Sequence, residues 1–256
     1  MHIPDGTMDP AVLAVAGAAS VGAVAASARA LRTGRPRIGL ALAGAGGVLL
    51  AHLADVPLHG AYTGHLIGGT LLAIALGPAL AVITMTAVLA FEALALADGG
   101  TSALGANVLV MGVVGVLVGY WVYRAAVAGL GRWRRSPAVT PTWSRALAAG
   151  VGAWVSVVAS AVTLAAMEIA GGVAPGAAGA AVEELVPHHV AWGLLEAVAT
   201  GAIVALAVAW RRRDGFSPHG TRTACDAVAP RDVHVRREAR PRAALDSPPE
   251  AASDRR

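Results

Sequence analysis

Six apolar runs recur along this chain at 10–31, 38–54, 79–97, 106–130, 145–170 and 189–210, each near the length of about 20 residues that a helix needs to cross the hydrocarbon of a bilayer. A seventh, 61–77, is shorter and stops at Gly77-Pro78, where proline cannot continue a helix. Such a chain is confined to one class: an all-α, polytopic membrane protein with about seven transmembrane helices. Its 256 residues are 56% hydrophobic and only 14% charged, and the mean hydropathy is +0.62. The apolar mass is Ala, Val, Leu and Gly rather than aromatics, and small residues let membrane helices approach closely, so tight helix packing is expected.

The chain contains no lysine, so all 20 basic residues are arginine and topology can be read from them. Whether 61–97 crosses once or twice decides the parity of everything that follows. Two crossings, with the N-terminus outside, bring Arg29, Arg32, Arg35, Arg37, Arg124, Arg132, Arg134, Arg135, Arg145 and Arg211 to Arg213 to the cytoplasmic side. The outer loops 55–60, 98–105 and 171–188 then hold no arginine. One crossing would strand Arg132–Arg135 outside, against the positive-inside rule. The expected topology is therefore N-out and C-in.

The chain divides near residue 210, with a membrane domain over 1–210 and a basic segment over 211–256. From Asp214 onward it is rich in Arg, Pro, Asp and Ala without apolar periodicity, which reads as a disordered cytoplasmic tail. Eight arginines there could touch anionic lipid headgroups, or the tail is simply solvated. The net charge of +4 reflects topology and tail, and nothing argues for nucleic-acid binding. The single Cys225 excludes a disulfide framework within one chain and a thiolate metal cluster. Without a GxxxxGK[ST] loop the chain cannot power itself with ATP, and the absence of HExxH and GxSxG weakens hydrolase readings.

The chemistry points to the first residues, Met1-His2-Ile3-Pro4-Asp5-Gly6. A histidine at position 2 allows a terminal amine, the His2 amide nitrogen and the imidazole to close five- and six-membered chelate rings on one ion. An amide binds a metal only after losing its proton, and tetragonal nitrogen coordination points to Ni(II) or Cu(II), with Co(II) a neighbour in the affinity series. This needs a free N-terminus carrying Met1 and no cleaved leader. His65, in Thr63-Gly64-His65-Leu66-Ile67-Gly68-Gly69, is expected one turn into the third helix near the same face, and a fourth nitrogen from it completes a square plane. The expected ligands are thus Met1, His2 and His65. His52 and His59 read as supporting or solvent-facing. Asp98 or Asn107, in the compact loop 98–107, could accept a proton from a ligating imidazole. Glu92, Glu168 and Glu196 are intramembrane carboxyls, functional candidates by default because their burial in lipid is costly; each could equally be a protonated group hydrogen-bonded between helices.

These residues resemble the CbiM/NikM family, the membrane substrate-specific components of energy-coupling-factor transporters for cobalt and nickel. The resemblance rests on Met-His-Ile-Pro-Asp-Gly at the start, on Gly64-His65-Leu66-Ile67-Gly68-Gly69, and on Phe91-Glu92-Ala93-Leu94 running to Asp98-Gly99-Gly100 and Leu104-Gly105-Ala106-Asn107. It covers roughly 1–210. It implies uptake of Co(II) or Ni(II), with the amino terminus, His2 and His65 as ligands and no catalytic cofactor. It also implies a transmembrane coupling protein, cytoplasmic ATPase subunits and a small accessory membrane subunit as partners. Glu92 stands where the family pattern has Gln. No apolar segment follows Arg213, so the accessory subunit is a separate chain or missing. Two rival readings use the same residues: a membrane metal sensor, and an intramembrane metal-dependent enzyme built on Glu92 or Glu196. Four nitrogens in a square plane argue against the second, since catalytic sites keep a position open.

Overall fold

The computed structural model of the protein describes residues 1–54, 56–57, 63–133, 141–173 and 175–213. His59 and the 214–256 tail lie outside them. Nine α-helical segments account for most of the described chain: α1 (Pro10–Leu31), α2 (Ile38–Leu53), α3 (Gly69–Leu76), α4 (Pro78–Phe91), α5 (Leu104–Asn107), α6 (Gly115–Trp133), α7 (Thr142–Gly171), α8 (Ala177–Ala180) and α9 (Val186–Arg213). Three π-helical stretches, Glu92–Leu96, Val108–Val114 and Ala181–Leu185, continue α4, join α5 to α6 and join α8 to α9. The described strands are two-residue pieces, Val56–Pro57 against Thr63–Gly64, antiparallel with Val56 opposite Gly64.

Among the described residues five helices are long and apolar enough to span a membrane, Pro10–Leu31, Pro78–Leu96, Leu104–Leu130, Thr142–Gly171 and Ala178–Arg211, and Ile38–Leu53 is a shorter apolar helix. The protein is a polytopic helical membrane protein. The starts of these helices follow local chemistry. Asp9 caps α1 by accepting from the Ala11 N–H at 2.7 Å, with Pro10 in the first turn, where its missing N–H costs nothing. Packing follows the small residues: a Cβ at Gly150 would meet the Ala197 carbonyl at 2.9 Å, so α7 and α9 run backbone to backbone.

The segment 61–77 departs from the expected helix. Among its described residues only Gly69–Leu76 is helical, about 12 Å of rise, while His65 to Gly68 has no regular structure. Gly68 is left-handed at φ 72° and Gly77 at φ 84°, so glycine opens and closes this short helix. Of the two crossings expected over 61–97, Pro78–Leu96 is the one that, among the described residues, is long and apolar enough to span a membrane. His65 and Glu92 meet the same cluster of side chains, described below, while Gly77-Pro78 lies 14 helical residues away along α4, a rise of about 21 Å. The chain therefore descends from His65 to Gly77 and returns along α4, its downward limb half extended. Irregular backbone at membrane depth requires protein partners for its polar groups, and the site supplies them. A second departure is at 177–188, expected within an outer loop: here α8 and its π stretch run on into α9. The His188 and His189 ring Nδ1 atoms donate to the Glu184 and Leu185 carbonyls at 2.6 and 2.8 Å, covering acceptors around Pro187.

Candidate metal centre

The first nine residues form a strap that buries three side chains and leaves Pro4, Asp5, Gly6 and Asp9 exposed. Met1, Ile3 and Met8 are all core residues. The strap is pinned at both ends of its length. The Ile3 N–H donates to Asn107 Oδ1 at 2.8 Å, and Asn107 Nδ2 and the Gly100 N–H donate to the Ile3 carbonyl at 3.1 and 2.8 Å. Asp5 takes four donors, the N–H and hydroxyl of both Thr101 and Ser102, at 2.5 to 3.2 Å. These bonds, the Ser102 hydroxyl foremost, hold the Asp5 carboxyl down to about 2. A side chain at Gly100 would overlap the Asp5 backbone and carboxylate, so the loop 98–107 can grip the strap only with glycine there. Further along, the Asp9 N–H donates to the Gly171 carbonyl at 2.7 Å and the Val173 N–H to Thr7 at 3.1 Å, tying the strap to the end of α7. The loop 98–107 thus clamps the strap, and Asp5, which sequence reasoning did not single out, is its busiest acceptor.

The strap delivers His2 into a cluster with His52 from α2, His65 ahead of α3, Glu92 at the end of α4 and Asp98. Ring centroids lie 5.7 Å apart for His2–His52, 4.9 Å for His2–His65 and 4.3 Å for His52–His65. His2 Nδ1 is 2.6 Å from Asp98 Oδ1 and His2 Nε2 is 3.7 Å from Glu92 Oε2. The His2 hydrogen bond, with the charge of the Met1 amine adding to it, holds the Asp98 carboxyl below its ordinary value. Ligand atoms of His2, His52 and Glu92 fall within 4.8 Å of one another.

Proton counting assigns the roles. A carbonyl only accepts, so His52 Nε2, 3.2 Å from the Ile67 carbonyl, carries a hydrogen. His52 Nδ1 then shares one proton with Glu92 Oε1 at 2.8 Å. Both nitrogens of His52 are engaged, so it orients Glu92 and holds the His65 segment rather than offering a lone pair. The reading of His52 as solvent-facing fails: its ring is buried, and its support role is specific. His2 Nδ1 donates to Asp98, as expected of that carboxylate, and His65 Nδ1 faces the Leu66 carbonyl at 3.4 Å. Three buried atoms of the cluster have no hydrogen-bond partner: His2 Nε2, His65 Nε2 and Glu92 Oε2. Asn107, expected as a proton acceptor for an imidazole, binds the Ile3 backbone instead.

The half-extended His65 segment is held from α9. Glu196, buried, accepts from the Ile67 and Gly68 N–H groups at 2.8 Å each, and the Trp192 indole donates to the His65 carbonyl at 2.9 Å. Glu196 is thus a positioning residue for His65, and its intramembrane carboxyl was the only sequence signal of it. Glu168 takes no part in the cluster; it lies near the end of α7.

The fold and the cluster define a polytopic membrane protein in which imidazoles and a buried carboxylate lie close enough together to hold a metal ion. The family described as the cobalt uptake substrate-specific transmembrane region, CbiM, matches residues 2–213, and the chain belongs to that family. It is similar to the fused nickel transport protein NikMN of Rhodobacter capsulatus, 36% identical over 132 residues that cover 50% of this chain and 38% of that protein. Two solved structures have the same fold at a TM-score of 0.65. One, a transition metal transporter, is 28% identical and is covered to 93%, with 84% of this chain aligned. The other, a truncated transition metal transporter, is 27% identical and covered to 99%. The chain spans about half the length of the curated relatives it matches.

Proposed function

We propose that the protein is the substrate-capturing membrane subunit of an energy-coupling-factor type importer for Co(II) or Ni(II), and that Met1, His2 and His65 hold the ion. The observation that carries this reading is the strap: an N-terminal segment is fixed at nine positions or fewer from its start so that His2 faces His65 across 4.9 Å. The Met1 amine lies near enough to act on Asp98. Closing the chelate uses His2 Nδ1, the nitrogen now bonded to Asp98, so the imidazole turns over about Cβ–Cγ as the ion is taken up. That turn carries Nε2 toward the Asp98 side, where its proton finds the same carboxylate.

The ion is cargo: no bond in a substrate is made or broken, and no residue here is asked to be catalytic. Energy comes from partners, a transmembrane coupling subunit and cytoplasmic ATPase subunits, with a separate small accessory membrane subunit and the surrounding lipid completing the assembly. Co(II) and Ni(II) both suit the nitrogen set.

Equilibrium binding of Ni(II) and Co(II) to the purified protein tests the reading. One residue added before Met1 should abolish high-affinity Ni(II) binding, and His65→Ala should lower it by several orders of magnitude while the helical content is retained. Undiminished binding by both variants would refute it.

A further inference from the structure

The proton inventory of the cluster leads beyond the chelate. Three side-chain atoms of the cluster, His2 Nε2, His65 Nε2 and Glu92 Oε2, are buried without a hydrogen-bond partner. Each is fixed from behind. Asp98 holds His2 Nδ1, the Leu66 carbonyl faces His65 Nδ1, and His52 holds Glu92 Oε1. An unpaired carboxylate oxygen at 1% residue exposure is costly unless something binds it. The ring nitrogen His2 Nε2 stands 3.7 Å from it, beyond hydrogen-bond range.

The spacing of His2 and Glu92 fits a cation between them, and the ring separation of His2 and His65 is compatible with both binding it. Nitrogen and oxygen ligands at about 2.0–2.1 Å on a tetrahedral ion lie about 3.3 Å apart, close to the 3.7 Å found for His2 Nε2 and Glu92 Oε2. Two imidazoles on one ion bring their ring centroids to about 4.5–5.2 Å at those bond lengths, which brackets the 4.9 Å between His2 and His65. We propose that His2, His65 and Glu92 form a second binding mode of the same centre, a two-imidazole, one-carboxylate set that takes a divalent ion without deprotonating the His2 amide.

This mode rests on the metal-uptake reading above but differs from the chelate in donors and in selectivity. A carboxylate oxygen and two imidazoles on three corners suit ions with tetrahedral coordination, Zn(II) above all. The square-planar nitrogen chelate suits Ni(II) and Cu(II). The two modes share His65 and exchange through the His2 ring: Nε2 faces the centre in one, Nδ1 in the other. Glu92 is then the group that sets which ions the closed strap can accept before the chelate forms.

Zn(II) and Ni(II) titrations of the intact protein separate the modes. Glu92→Gln keeps an oxygen to accept from His52 and the same volume but gives up the anionic donor. It should weaken Zn(II) binding by more than 100-fold, beyond the about 10–100-fold typical of a group that only supports a ligand, and weaken Ni(II) binding far less. Glu92→Asp keeps the charge and withdraws the oxygen by one methylene, and should behave like Glu92→Gln if ligation rather than charge is at work. Metal-induced infrared difference spectra should show a carboxylate band in the wild type with Zn(II) that both variants lack. Parallel losses for the two ions, wild-type Zn(II) affinity in Glu92→Asp, or no Zn(II) binding by a wild type that binds Ni(II) would each overturn the second mode and leave the uptake reading standing. A wild type that binds neither ion would overturn both.

Discussion

Two irregular segments bring histidines to the centre, and they are secured in different ways. The His65–Gly68 segment is fastened from inside, by a buried carboxylate and an indole on α9. The strap of residues 1–9 has one buried fastening, the Asn107 bonds to Ile3, and its ties through Asp5 lie on the outer side. The Thr101 and Ser102 bonds to Asp5 are solvent-exposed, and a short bridge joins Met8 to Gly172. A buried acceptor without its donors has no water to turn to, whereas an exposed one does. The inner fastening is therefore permanent, part of what makes the bundle fold. The outer one can open while the bundle stays intact, which a segment that must close over an ion and later let it go requires.

The contrast predicts a graded series. The largest effect belongs to Glu196→Leu, which leaves the Ile67 and Gly68 N–H groups buried and unpaired at a cost of about 1–3 kcal/mol each. It should lower the melting temperature in detergent and abolish metal binding together, with Glu196→Gln, which keeps one acceptor, falling between. Asp5→Ala removes the four bonds from Thr101 and Ser102. It should weaken metal binding by about 10–100-fold, as loss of a supporting partner does, and speed hydrogen exchange in residues 1–9 with little change in melting. A melting loss equal to that of Glu196→Leu would erase the distinction between the segments.

The smallest effect is one of pH. The Asp5 carboxyl is held down to about 2 from 3.8, and a depressed carboxyl stabilises above its unfolded value and loses that contribution as pH falls through the folded one. Exchange protection of the strap should thus be full above about pH 4 and decline toward pH 2, and Asp5→Asn should remove this dependence. A decline centred at neutral pH would point to another group.

Much of this was legible in the chain and the rest was not for identifiable reasons. Long apolar runs give their helices away because lipid leaves the backbone no other choice, and 10–31, 145–170 and 189–210 lie within helices found at those places. The run at 61–77 misled because apolarity alone does not distinguish a helix from an extended strand of chain whose N–H groups are met by a glutamate 129 residues away. His2, His65 and Asp98 announced themselves by position and neighbourhood. His52 did not, because the partner that buries it, Glu92, stands 40 residues on in another helix, and nothing in a single sequence pairs the two. Asp5 was hidden by its ordinariness, an acidic residue in a polar turn.

The end of α4 carries one more lesson. Its π-helical turn closes with Ala97 left-handed at φ 56° and the Asp98 N–H returning to the Glu92 carbonyl at 3.0 Å. The two carboxylates flanking the His2 ring are therefore the jaws of one calliper, their gap set by a single backbone closure. The residues between them, Ala93 to Ala97, are alanine and leucine, open to exchange for others of similar size. Their number is not. Deleting any one would swing Asp98 by about 100° around the helix and open the calliper, so this stretch tolerates spelling changes and forbids changes of length.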